Sequence, residues 1–133
     1  DVTWLEPVEA EDVANLNLNF QVAAVRKPLL SVKRITELGN AVVFGKKGNY
    51  IESESTGKRL TLHPKGRGSY VLKVRFIDGS EQDVVVDSGA EESVCPWGWG
   101  ERDFGTQEVS KLMKFRDASG NQIPHYGKRE VKV

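Results

Sequence analysis

The residues best placed to do chemistry in this 133-residue chain are Asp87-Ser88-Gly89-Ala90, entered from Val84-Val85-Val86. A run of β-branched apolar residues delivers a carboxylate into a turn of small residues. Ser88 can hydrogen-bond locally, Gly89 permits a backbone angle or a close approach that other residues resist, and Ala90 adds no bulk. One carboxylate is thereby presented at the end of a buried strand, with the neighbouring backbone open to a partner. A side chain in that position is suited to giving and taking a proton. The same tripeptide also closes strands at ordinary surface turns, where Asp, Ser and Gly collect for steric reasons. Asp87 with Ser88 is not a serine-hydrolase pair. Neighbours on an extended chain point to opposite faces, and neither His63 nor His125 has a motif around it.

The elements that must position Asp87 are mostly short strands. Leu16, Leu18, Phe20 and Val22 alternate with Asn15, Asn17, Asn19 and Gln21, the period of a half-buried strand. Pro28 keeps Lys27 out of helix. Ser31 then reads as an N-cap and Gly39 as the residue past a helix end, with Val32, Ile35 and Leu38 as the apolar face between them. Residues 41–44 read as a short buried strand. Turns are expected at 45–49, 56–57 and 64–68, with strands at 50–51 and 60–62. Tyr70, Leu72, Val74 and Phe76 alternate, and Asp78-Gly79 turns that strand back into residues 82–86. Residues 114–116 and 123–125 flank Asp117-Ala118-Ser119-Gly120-Asn121 as a second hairpin, and Val131 and Val133 end a last strand. Many short strands with glycine turns argue a compact all-β barrel or sandwich in one domain, 1–133.

Composition narrows the partners. Lys plus Arg number 19 and Asp plus Glu number 19, so bulk charge points to neither nucleic acid nor an anionic membrane. No apolar run is long enough to span a bilayer. The stretch holding Asp1, Glu6, Glu9, Glu11 and Asp12 is unlike a signal or transit peptide, and an intracellular setting is the expectation. Cys95 is the single cysteine, so no internal disulfide framework exists. With one Cys and two His, no structural zinc site is expected.

Three patches resemble a retropepsin, the retroviral and retrotransposon type of aspartic protease. Asp87-Ser88-Gly89-Ala90-Glu91-Glu92-Ser93-Val94 is similar to the family's active-site pattern. Pro28-Leu29-Leu30-Ser31, the helix over 32–38, Gly39 and the strand over 41–44 resemble its later half. The Ala118-Ser119-Gly120 tip sits downstream of the Asp, where the family carries its flap. Ser31 stands where the family has Gly, and Val32 where many members have an Arg that pairs with an acidic residue. Lys33 or Arg34 could supply that contact. The order also differs. In the family the Asp half comes first and the helix half last; here 1–44 is the helix-bearing half, 45–77 are connecting strands, and 78–133 hold the Asp and the flap. The resemblance therefore implies a closed acid-protease barrel with one short helix, circularly permuted. Its bland alternatives are a window cut across two tandem copies and an engineered rearrangement of the two halves.

That resemblance implies an aspartic endopeptidase that cuts extended polypeptide, in the setting of retroelement polyprotein processing. Water is activated between two carboxylates that share one proton. Only one Asp-Ser-Gly exists per chain, so the second Asp87 must come from another copy in a two-fold homodimer. Asp87 is then the acid and base, Ser88 locks the two loops across the axis, and Gly89 lets substrate approach. Ala90, Glu91 and Glu92 meet the peptide main chain, Leu29 and Leu30 line side-chain pockets, and Ala118, Ser119 and Gly120 close over the peptide. No metal or other cofactor is implied. The plainer readings stay open: Leu29 and Leu30 as core, Glu91 and Glu92 as a solvated pair, Ser119-Gly120 as a turn. Trp97-Gly98-Trp99-Gly100 is a recognition patch or a satellite of the core. Cys95 before Pro96 is most simply a buried small hydrophobe. The rival function is a non-catalytic peptide-binding or dimerisation domain of the same fold.

Overall fold

The computed structural model describes residues 16–133, so the acidic N-terminal stretch and Asn15 of the alternating run lie outside the described residues. The alternation from Leu16 onward becomes β1 (Asn17–Ala23), with Leu18, Phe20 and Val22 buried and the asparagines exposed. A short β2 (Leu29–Ser31) runs directly into α1 (Val32–Glu37). Ser31 is the N-cap, its hydroxyl accepting from the Arg34 N–H at 3.2 Å, and Gly39 follows the helix at φ 87°. Ile35 is the helix's buried residue, whereas Leu38 stays 58% exposed, so the apolar face is narrower than its spacing suggests.

Next come β3 (Asn40–Gly45), β4 (Gly48–Ser53) and β5 (Arg59–Thr61), a three-stranded antiparallel sheet of its own. The expected buried strand at 41–44 is only half-buried there, and Phe44 is exposed. β6 (His63–Lys65) takes in Pro64, which the sequence assigns to a turn. Proline is tolerated because β6 is the sheet's edge, where a missing N–H leaves no partner wanting. β7 (Ser69–Arg75) and β8 (Glu81–Asp87) form the hairpin announced by Asp78-Gly79; Gly79 adopts φ 88° and the Asp78 carboxylate accepts from the Ser80 N–H at 2.8 Å. After β9 (Val94–Cys95) comes α2 (Glu101–Phe104), a single turn that the sequence reading did not anticipate. β10 (Phe115–Arg116) and β11 (Gln122–Ile123) pair with each other, and β12 (His125–Lys132) ends the chain.

Strands dominate and both helices are short, so the fold class is all-β. The main sheet has the order β12-β1-β9-β2-β8-β7-β6. No ladder joins β12 to β6 and no closed barrel is found among the described residues. The core gathers Leu18, Phe20, Leu30, Ile35, Leu72, Val84 and Val131, with Phe76 and Trp99 packed against it. Gly127, at φ 145°, lets Thr106 and Gln107 approach β12: a Cβ there would collide with the Gln107 carbonyl, which accepts from Lys128 N–H at 2.9 Å. Among the described residues no helix is long and apolar enough to cross a membrane.

Candidate active site

The Asp87 turn is built by three segments far apart in sequence. β8 enters it and β9 leaves it, and β2 lies between them. β2 pairs in parallel with β8, in the register Leu29↔Val85, Leu30↔Val86 and Ser31↔Asp87, and antiparallel with β9 through Leu29↔Val94. The β-branched run of 84–86 supplies a strand stiff at χ1, with Val84 and Val86 turned into the core. Period two then puts Asp87 on the opposite side from Val86. Asp87 is half-buried, and its Oδ1 accepts from the Gly89 N–H at 2.7 Å. That bond folds the carboxylate over its own turn. Ser88 and Gly89 are exposed and Ala90 is half-buried.

Ser31 ties this turn to the helix. It is wholly buried, its Oγ donates to the Ala90 carbonyl at 2.7 Å, and its N–H donates to Ser93 Oγ at 2.9 Å. A serine in place of glycine at this position thus caps α1 and clamps the 87–93 turn at once. Both Lys33 and Arg34 reach the acidic pair that follows the turn. Lys33 Nζ pairs with Glu91 at 2.9 Å, and this bond holds the Glu91 carboxyl below its ordinary range. Arg34 pairs with Glu92 and with Glu37, and its Nε donates to the Glu91 carbonyl at 3.1 Å. Glu92, chiefly, raises Arg34 further above its already high value. Glu91 and Glu92 are therefore anchored by the helix that follows β2.

Leu30 is 1% exposed and belongs to the core, while Leu29 is half-buried. Ala118, Ser119 and Gly120 are exposed at the tip of the β10–β11 hairpin. The bonds that order this tip are internal: Asp117 Oδ1 accepts from the N–H groups of Ser119 at 2.9 Å and Asn121 at 2.8 Å. Helix half and Asp half thus meet at one turn, and the hairpin stands as a small sheet of its own. Cys95 is fully buried beside this unit, and burial pushes its thiol up to about 11, so it is no nucleophile at neutral pH. Among the described residues no cluster of His, Cys, Asp and Glu could hold a metal ion.

Two supports escaped the sequence reading. Ser93 appears there only as a hydroxyl in a pattern, yet it is buried and holds the β2 backbone. Arg129 is fully buried on β12 and donates to the carbonyls of Gly105, Pro96 and Trp99, holding the 95–106 segment that follows β9. Its signal was the alternation of His125, Gly127, Arg129 and Val131, all inward. No family model, curated protein or solved structure matches this chain.

Proposed function

We propose that this domain is an aspartic endopeptidase of the retropepsin type, acting as a homodimer in which two Asp87 carboxylates activate the attacking water. The observation that carries the reading is the parallel register of Leu29-Leu30-Ser31 with Val85-Val86-Asp87. Two patches that resemble the family, 56 positions apart in the chain and in the reverse of its order, form one structural unit around the carboxylate. A turn that merely closed a strand would not need a second strand threaded between its entering and leaving arms. It would not need a buried serine clamp or two basic residues fixing its acidic pair either.

In this reading one Asp87, unprotonated, takes the proton of the water while the other donates to the substrate carbonyl, and the two titrate as a pair. Ser88 and the Gly89 backbone, both exposed, face the partner and the substrate. The β10–β11 hairpin, with Ala118, Ser119 and Gly120 at its tip, closes over the peptide as a flap. The circularly permuted order of the two halves is part of the same proposal. Leu16 and Val133 exchange reciprocal bonds at 3.1 and 2.9 Å, which sets β1 of the helix half beside β12, the strand after the β10–β11 hairpin. The substrates in this reading are extended polypeptides, with retroelement polyproteins as the natural setting.

The test is cleavage of a quenched peptide library at mildly acid and neutral pH, with and without pepstatin. Asp87→Asn should take cleavage to background while leaving the fold and the dimer intact, since it removes a charge from a crowded pair. Undiminished cleavage by that variant would sink the reading. A wild-type dimer that binds peptides but never cuts them would favour the rival, a non-catalytic binding domain.

A further inference from the structure

The side of the main sheet away from the core carries an open cleft of about 830 Å³. Its floor is apolar. Val71 and Val85 stand opposite each other on β7 and β8, and Val71 is 2% exposed although it lies outside the main core cluster. Period two sets Asp83, Val85 and Asp87 on one side of β8, with Val84 and Val86 turned to the core. Val85 therefore lies about 7 Å along the strand from Asp87, on the same side.

The rim is cationic. Lys65 and Lys73 reach in from β6 and β7, and Arg26 and Lys27 from the loop between β1 and β2. The first two are already engaged: Asp83 takes Lys65 at 2.6 Å and Lys73 at 3.1 Å, which holds its carboxyl below the ordinary range, and Glu81 lies 3.9 Å from Lys73. Arg26 and Lys27 are exposed and have no ion-pair partner among the described residues. Among the described residues, two adjacent cations thus stand unpaired at the rim of a cleft that Val85 also lines.

We propose that this cleft receives an acidic side chain of an extended peptide, its carboxylate held by Arg26 and Lys27 and its aliphatic stem laid against Val85. A glutamate matches both halves of the site. A nucleic-acid strand does not, because phosphate tracking needs a run of unpaired cations, and Asp83 interrupts this rim. The endopeptidase reading enters only in bringing the peptide past Asp87; the binding itself stands on the cleft.

The experiment separates the two. Binding of labelled peptides carrying Glu, Gln or Lys at each position in turn is measured by anisotropy on the full Asp87→Asn chain, so that no cleavage is needed. The Glu peptide at the preferred position should bind about tenfold tighter than its Gln twin, the scale of two exposed ion pairs, and the advantage should shrink with salt. In Arg26→Glu/Lys27→Glu the order should reverse to favour Lys, while the circular dichroism spectrum stays that of the parent. Equal binding of Glu and Gln peptides, an unchanged order in the double variant, or displacement by a single-stranded oligonucleotide at lower concentration than by free Glu peptide would overturn the proposal. In a parallel arm the chain with Asp87 intact is given the same series. Absence of cleavage there counts against the endopeptidase reading alone, and tenfold faster cleavage of the Glu peptide supports both.

Discussion

At the scale of single residues, Arg129 is the most heavily bonded buried side chain among the described residues. It is fully buried, and its guanidinium meets the Gly105 carbonyl at 2.7 Å, the Pro96 carbonyl at 3.2 Å, the Trp99 carbonyl, Glu101 and Thr106. A buried cation is tolerable only when charge and donors are both answered, and here Glu101 answers the charge and three carbonyls the donors. Deleting the guanidinium leaves those acceptors unsatisfied on a segment that continues directly from β9. Arg129→Met should therefore cost about 3–5 kcal/mol in urea unfolding. Arg129→Lys should rescue little, because one ammonium cannot span so many acceptors. A loss below about 1 kcal/mol for the Met variant would show that the network adds little to stability.

Among the elements, the hairpin of β10 and β11 depends most visibly on one ionised group. Asp117 accepts from the Asn121, Ser119 and Gly120 backbone region, and the Asn121 N–H, above all, holds its carboxyl below the ordinary 3.8. A depressed folded value means that the hairpin's support is complete above 3.8 and is lost as pH falls through the lower folded value. Amide exchange at Ser119 and Asn121 should quicken on acidification below that range, and Asp117→Ala should show the quickened exchange at neutral pH. Exchange independent of pH in the parent, after correction for intrinsic rates, would deny Asp117 this part. The hairpin was legible in sequence because its determinants are local: a cluster of turn residues, Asp117 to Asn121, between two short segments. So were α1, with Ser31 and Gly39 at its ends, and β1, with its alternating asparagines. The Asp87 strand end was legible for the same reason. What was not legible is non-local or contrary to type. Nothing around Leu29 says that it pairs with both Val85 and Val94, Pro64 enters a strand only because that strand is an edge, and Arg129 reads as surface until its neighbours on β12 are seen to alternate inward.

For the whole molecule, the proposed chemistry needs a second chain, and the sheet edges limit where it can dock by strand pairing. In retropepsins the terminal strands of two subunits interleave in the dimer sheet, and by that resemblance the matching strands here are residues 41–44 and 70–76. β7 pairs with β8 along Tyr70 to Arg75 and with β6 along Ser69 to Val71, which leaves only residues 72–75 open on that side. β3 differs: it pairs with β4 on one side and has no partner on the other among the described residues. It is also half-buried where a core strand would be covered, and Phe44 is 44% exposed against Tyr70, with ring centroids 4.6 Å apart. An unpaired, apolar edge is a liability in a monomer and a template for pairing in a dimer. The free β3 edge is therefore where a two-fold mate should add. Phe44→Glu places a charge on that edge strand, which must be desolvated for a second chain to pair there, so it should shift sedimentation from dimer toward monomer. Peptide cleavage should fall in step with the dimer fraction, and the parent chain should lose specific activity on dilution by the same mass action. An Asp87-dependent activity that survives in a chain sedimenting as monomer would remove the need for the second carboxylate. A Phe44→Glu dimer as tight as the parent would move the interface away from β3.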